Sequence, residues 1–183
     1  MTFDPSHSLQ FAQPLAEFYA RGGLRFPHIE RMEGAEMPEP YRTLLVHAHD
    51  MTPTLERHHG GRIHLQVLRS ERRGDQYHRE VVLRLDGSDR AVEFGANHIS
   101  LDLYPAAAQQ LILKEYVPLG SILAQFNIEH TCHASAYLRI TADALISQQL
   151  ELPEGSTLYG RRNTLRNVQG QSLSEIVEIL PLA

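Results

Sequence analysis

The chain has 183 residues, 17 basic and 22 acidic side chains, a net charge of −5 and one cysteine; that length suits one domain with its own core. The negative balance argues against nucleic acid or an anionic membrane as the main partner, and a lone Cys132 excludes an intramolecular disulfide and fits a reducing compartment. No apolar run is long enough for a membrane helix, and Met1-Thr2-Phe3-Asp4-Pro5 lacks the basic and apolar regions of a signal peptide, so a soluble cytoplasmic protein is expected.

Leu9, Phe11, Leu15, Phe18 and Tyr19 can share one face of a short helix, with Pro14 limiting its start and Gly22-Gly23 ending it. Met37-Pro38-Glu39-Pro40 reads as an extended connector, so residues 1–43 are expected as an N-terminal arm or lid ahead of a domain spanning 44–183. Leu44 to Val46 leads into a turn at Asp50. A helix is expected from Thr52, with Thr52 as N-cap and Pro53 in the first helical position. Gly60-Gly61 breaks the chain before Ile63, Leu65 and Val67, which alternate with His64 and Gln66 as a strand. Residues 77–85 form the next strand, turned back into 91–98 through Asp86-Gly87-Ser88-Asp89. Pro105 to Val117 reads as a helix, and a second follows Pro118-Leu119-Gly120. Ala134 to Ile140 reads as a strand. The chain closes with a hairpin, 161–167 against 172–180, through Asn167-Val168-Gln169-Gly170. Hairpin-linked strands imply an α+β fold, a mostly antiparallel sheet with helices on one face. No repeat, low-complexity tract, GxGxxG or Walker-type loop is present, so nucleotide-dependent chemistry has no support.

Two strands carry a charge where an apolar side chain is expected. Alternation puts Arg79 on one face with Tyr77, Val81, Leu83 and Leu85, and Glu178 with Ile176 and Leu180. A bare charge in such surroundings is costly, so each should be paired, wet or serving a ligand. The alternatives are that the two pair with each other or that the strand ends twist into solvent.

"HREVVLRLDG", "VPLGSIL" and "LYGRRNTLRNVQGQSLSEIVEILP", with "HDMTPTLE" ahead of them, stand in the order seen in the chorismate lyase family. The chain resembles that family from about Leu44 to Pro181, with Gly160-Arg161-Arg162 the most specific piece. The resemblance implies a chorismate lyase-like fold, related to the UTRA effector domains of bacterial transcription regulators. It implies elimination of pyruvate from chorismate to leave 4-hydroxybenzoate, for ubiquinone or secondary metabolism, with no cofactor. It marks Arg79 and Glu178 as catalytic and substrate-binding, and Met51 and Leu119 as backbone contacts to the ligand. Arg79 can offer a carboxylate a bidentate fork. The peptide N–H groups near Met51, and those of Leu119 and Gly120, stand at expected helix starts, which favour anions. Glu178 matches the family's acidic residue near the product's 4-hydroxyl. It either donates a proton to the departing oxygen or only orients the substrate. Glu175 points to the other sheet face, and a register slip would exchange the two.

Arg161 and Arg162 can attract an anionic substrate or hold the hairpin by ion pairs, and the second role is favoured. Glu129-His130-Thr131-Cys132-His133 holds several metal-ligand types, and His47/His49 and His58/His59 could join them, but no second ligand pair stands out and no metal is expected. Cys132 reads as a small, partly buried thiol rather than a nucleophile. Two other functions remain in view. One is a non-catalytic, UTRA-like domain binding an aromatic acid, although the stretch before Leu44 is too short for a winged-helix DNA-binding domain. The other is a lyase-like enzyme with altered substrate or product.

Overall fold

A computed structural model of the chain describes residues 9–181. Seven strands form one sheet: β1 (Ile29–Met32), β2 (Ile63–Arg73), β3 (Gln76–Leu85), β4 (Ala91–Ser100), β5 (His130–Thr141), β6 (Thr157–Asn167) and β7 (Ser172–Leu180). Their order is β1-β5-β6-β7-β4-β3-β2, and every neighbouring pair is antiparallel. Six α-helices accompany them among the described residues: α1 (Leu15–Arg21), α2 (Tyr41–Leu45), α3 (Met51–His59), α4 (Ala106–Leu113), α5 (Leu119–Gln125) and α6 (Ala144–Leu150). The fold is α+β with an antiparallel sheet, as expected.

Strand alternation sorts the core into layers. On one face Val82, Phe94, Ala96, Leu138, Ile140, Val177 and Ile179 pack with Leu15, Phe18 and Tyr19 of α1 and Ile146 and Leu150 of α6. On the other face the helices α2 to α5 gather over two apolar clusters. The first joins Leu45, Met51 and Leu55 to Leu65, Val81, Leu83 and Leu180. The second joins Ile112, Leu119, Ile122 and Leu123 to Tyr77, Ile99, Leu165 and Ile176.

The described part of the 1–43 segment adds α1 to the core and pairs β1 with β5 at the sheet edge; its first eight residues lie outside the described residues. Leu15 and Tyr19 are fully buried, at about 1.5–3 kcal/mol for an apolar side chain of that size, so α1 is held by the domain's own core. No helix among the described residues is long and apolar enough to cross a membrane.

Among the boundaries that differ from expectation, three bear on the site. The helix expected from Thr52 begins at Met51, with Asp50 as its N-cap residue, and no side chain caps it. Asp50 instead spends its carboxylate on His130 and Cys132 of β5. β5 starts at His130 rather than Ala134, because register with β6 runs on to the pair His130 and Asn167. β2 continues from Val67 through a bulge to Arg73, twinned with β3. The start of α5 lies against the start of α3: a Cβ on Gly120 would stand 3.0 Å from Thr52 Oγ1 and 3.1 Å from its Cβ. That glycine lets the two helix starts meet over the sheet.

Candidate functional site

Between the two apolar clusters runs a row of polar side chains. Registers place Arg79 beside Asn97, Asn97 beside Ile176, and Ile176 beside Asn163. One step along, Val81 lies beside Gly95, Gly95 beside Glu178, and Glu178 beside Arg161. Gly95 thus adds no side chain to the middle of the row, and a Cβ there would sit 2.3 Å from the Val177 carbonyl oxygen. Above this gap is a cavity of about 40 Å³, far below the usual several hundred.

Arg79, Glu178, Met51 and Leu119, the four residues marked by the family resemblance, all line this cavity. Arg79 is 1% exposed, and its Nε and Nη1 have no hydrogen-bond partner among the described residues. Burial pushes its pKa down to about 10, offset in part by Tyr77, Tyr104 and Glu115, so it is a cation at neutral pH. Tyr77 donates to Glu115, and burial together with that bond pushes the phenol up to about 12.

The expected alternative of an Arg79–Glu178 pair is not what forms. Glu178, 3% exposed, accepts from Arg161 Nε at 2.5 Å. Arg161 is fully buried and also donates to the carbonyls of Leu45 (3.2 Å), His47 (3.0 Å) and His49 (3.0 Å). Burial works against its charge, but Glu178 outweighs it and raises the pKa. Arg161 therefore fastens the segment leading into α3 to the sheet. Glu175 points to the opposite face, where Arg162 donates to it at 2.8 Å.

Sequence reasoning missed Glu93. It is 4% exposed, lines the cavity and leaves Oε2 without a partner. Burial, and then the neighbouring Glu178, raise its pKa well above the carboxylate range, against a smaller opposing pull from Arg161. Burial thus favours the neutral acid form of Glu93. The signal was available: alternation in β4 sets Glu93, Gly95 and Asn97 on one face against Val92, Phe94 and Ala96 on the other. Asn163 also lines the cavity, with its Oδ1 unpaired. The site thus combines a cation without a hydrogen-bonded carboxylate among the described residues, an acid with a raised pKa, one balanced ion pair and an amide oxygen, between apolar walls of Met51, Leu119, Leu123, Leu165 and Ile176.

Asp50 lines the same cavity. Its Oδ1 accepts from His130 Nε2 at 2.9 Å and from Cys132 Sγ at 3.2 Å. The bond to Asp50 pushes His130 up to about 10, so the two form an ion pair at neutral pH.

No family model matches the chain, and no curated protein matches it. Among solved structures, PhnF from Mycobacterium smegmatis superposes with a TM-score of 0.55 at 10% identity, covering 91% of this chain and 93% of that one. The effector domain of PhnF gives 0.55 at 10% identity, covering 73% and 88%. A gene product from Staphylococcus aureus subsp. aureus N315 gives 0.53 at 8% identity, covering 74% and 90%. At such identities the likeness is one of fold.

Proposed function

We propose that the chain is a small-molecule-binding module whose cavity takes a single-ring aromatic acid as its monoanion. One observation carries the reading: Arg79, which lines the cavity, is a buried guanidinium with two donors unpaired among the described residues. Buried polar groups are normally satisfied, and a carboxylate would meet this fork with charge-assisted bonds. The ion pair of Arg161 and Glu178 is balanced and burial favours the neutral form of Glu93, so the charge of Arg79 dominates the cavity. That suits 4-hydroxybenzoate better than the dianion chorismate. Glu93 and Asn163 then face a polar group at the far side of the ring. The likeness to the effector domain of PhnF supports binding without turnover, although a shared fold leaves activity open.

The lyase reading stays as the second, because Glu93 supplies what it requires. In that reaction the ether C–O bond of chorismate breaks and the oxygen departs with the three-carbon unit. The neighbouring ring carbon gives up its proton, and that electron pair completes the aromatic ring. A carboxylic acid whose pKa is raised by burial can give its proton to the departing oxygen and recover one from the ring. The role first read onto Glu178 falls to Glu93, since Glu178 is held by Arg161.

Calorimetric titration with 4-hydroxybenzoate, together with incubation with chorismate and separation of the products, tests both. Saturable binding without turnover supports the module, and release of 4-hydroxybenzoate with pyruvate supports the lyase. Absence of binding to any benzoate, with chorismate untouched, rejects both.

A further inference from the structure

We propose that Asp50, His130 and Cys132 form a binding site for a borderline transition ion of the zinc(II) class, at the seam between α3 and β5. His130 and Cys132 stand two apart on β5 and so project to one side. Asp50 meets them from the start of α3. One ligand atom from each residue falls within a group no wider than 4.8 Å.

Three features favour an ion over a simple hydrogen-bonded trio. The donors are an imidazole nitrogen, a thiol sulfur and a carboxylate oxygen, a set that suits zinc. Tetrahedral zinc with ordinary bond lengths needs edges of about 3.4 Å between N and O and about 3.6 Å between S and O. The present separations of 2.9 and 3.2 Å open to these with shifts of about half an ångström. His130 Nδ1 bonds the Ile128 carbonyl at 2.8 Å, which fixes the ring with Nε2 toward Asp50, the support metal-binding histidines usually have.

The group also borders an open cleft of about 630 Å³ lined by His49, Pro53, Thr54, Arg57 and Thr131. Three protein ligands with one open side match a zinc site that keeps a position for water. A divalent ion balances the Asp50 carboxylate and the Cys132 thiolate. It takes the place of the protons now on His130 Nε2 and Cys132 Sγ, which leave to solvent. Asp50 also lines the Arg79 cavity, so the ion would sit beside the ligand site without entering it. This inference is independent of what the cavity binds.

The test uses the full chain with cobalt(II) or zinc(II) alone. Cobalt is expected to bind one to one, with tetrahedral visible bands and a near-ultraviolet thiolate charge-transfer band. Cys132 is the one cysteine, so that band reports this site and no other. Cys132→Ser should lose the band, and both it and His130→Gln should weaken zinc binding by at least about tenfold. In the wild-type protein zinc should also slow alkylation of Cys132, a readout that stands even if the variants do not fold. Cobalt bound without a thiolate band places the ion on surface histidines such as His58 and His59 and overturns the proposal. Unchanged alkylation in saturating zinc does the same.

Discussion

Burial favours the neutral form of both Arg79 and Glu93. The guanidinium, pushed down only to about 10, still keeps its charge at pH 7, while the carboxyl is raised well above its ordinary value. If Arg79 serves a ligand, Arg79→Ala should weaken 4-hydroxybenzoate by about tenfold to a hundredfold, since charge-assisted bonds are worth about 1.5–3 kcal/mol each. The free protein should melt no lower, because an unpaired buried cation is being removed. Calorimetry and a thermal melt of the same sample check both halves, and a large fall in melting temperature with affinity intact would make Arg79 structural. Glu93 affects stability through pH. Its pKa is higher folded than unfolded, so between those two values the native state holds a proton that the unfolded chain has released. Stability therefore falls as pH rises through that window, by up to about 1.4 kcal/mol per pH unit. Glu93→Gln should flatten that decline, and denaturant melts from pH 5 to pH 8 will show it. Alternation alone exposed Arg79 and Glu178 in the sequence. It could not show that Glu178 is neutralised by Arg161, because that depends on the lateral pairing of β6 with β7.

Among the strands, β7 stands at the centre of the site, with Arg161 of β6 on one side and Gly95 of β4 on the other. Arg161 binds β7 through Glu178 and the 45–49 segment through three carbonyls. Arg161→Ala leaves Glu178 buried without its partner and should cost about 3–5 kcal/mol in a chemical melt. Glu175→Ala, which breaks a half-exposed pair, should cost under about 1 kcal/mol. Gly95→Ala must push a methyl group against the Val177 carbonyl and should disrupt the pairing of β4 with β7. Loss of amide protection confined first to those strands would reveal it. The hairpins were legible because Gly87 and Gly170 mark turns that need positive φ. The start of β5 was not, since His130 to His133 has no apolar period and its strand character comes from pairing with β6. β1 was missed for the same reason, being four residues held by β5.

At the scale of the whole molecule, fold class was readable from hairpin spacing, and the order of strands was not. β1, nearly first in the chain, lies beside β5, and β7 separates β6 from β4. Such long-range pairings leave no local mark in composition. One feature has a wider thermodynamic reach. The polar row lies between two apolar clusters, and residues of both line the Arg79 cavity. An occupant there would touch both clusters, so heat resistance should report occupancy. A ligand at a hundred times its dissociation constant adds about 2.7 kcal/mol, or roughly 5–10 °C for a chain of this size. A thermal survey of benzoates should rank its members by fit, and the ranking should vanish in Arg79→Ala. Melting would then act as the molecule's own assay for a guest whose identity need not be guessed beforehand.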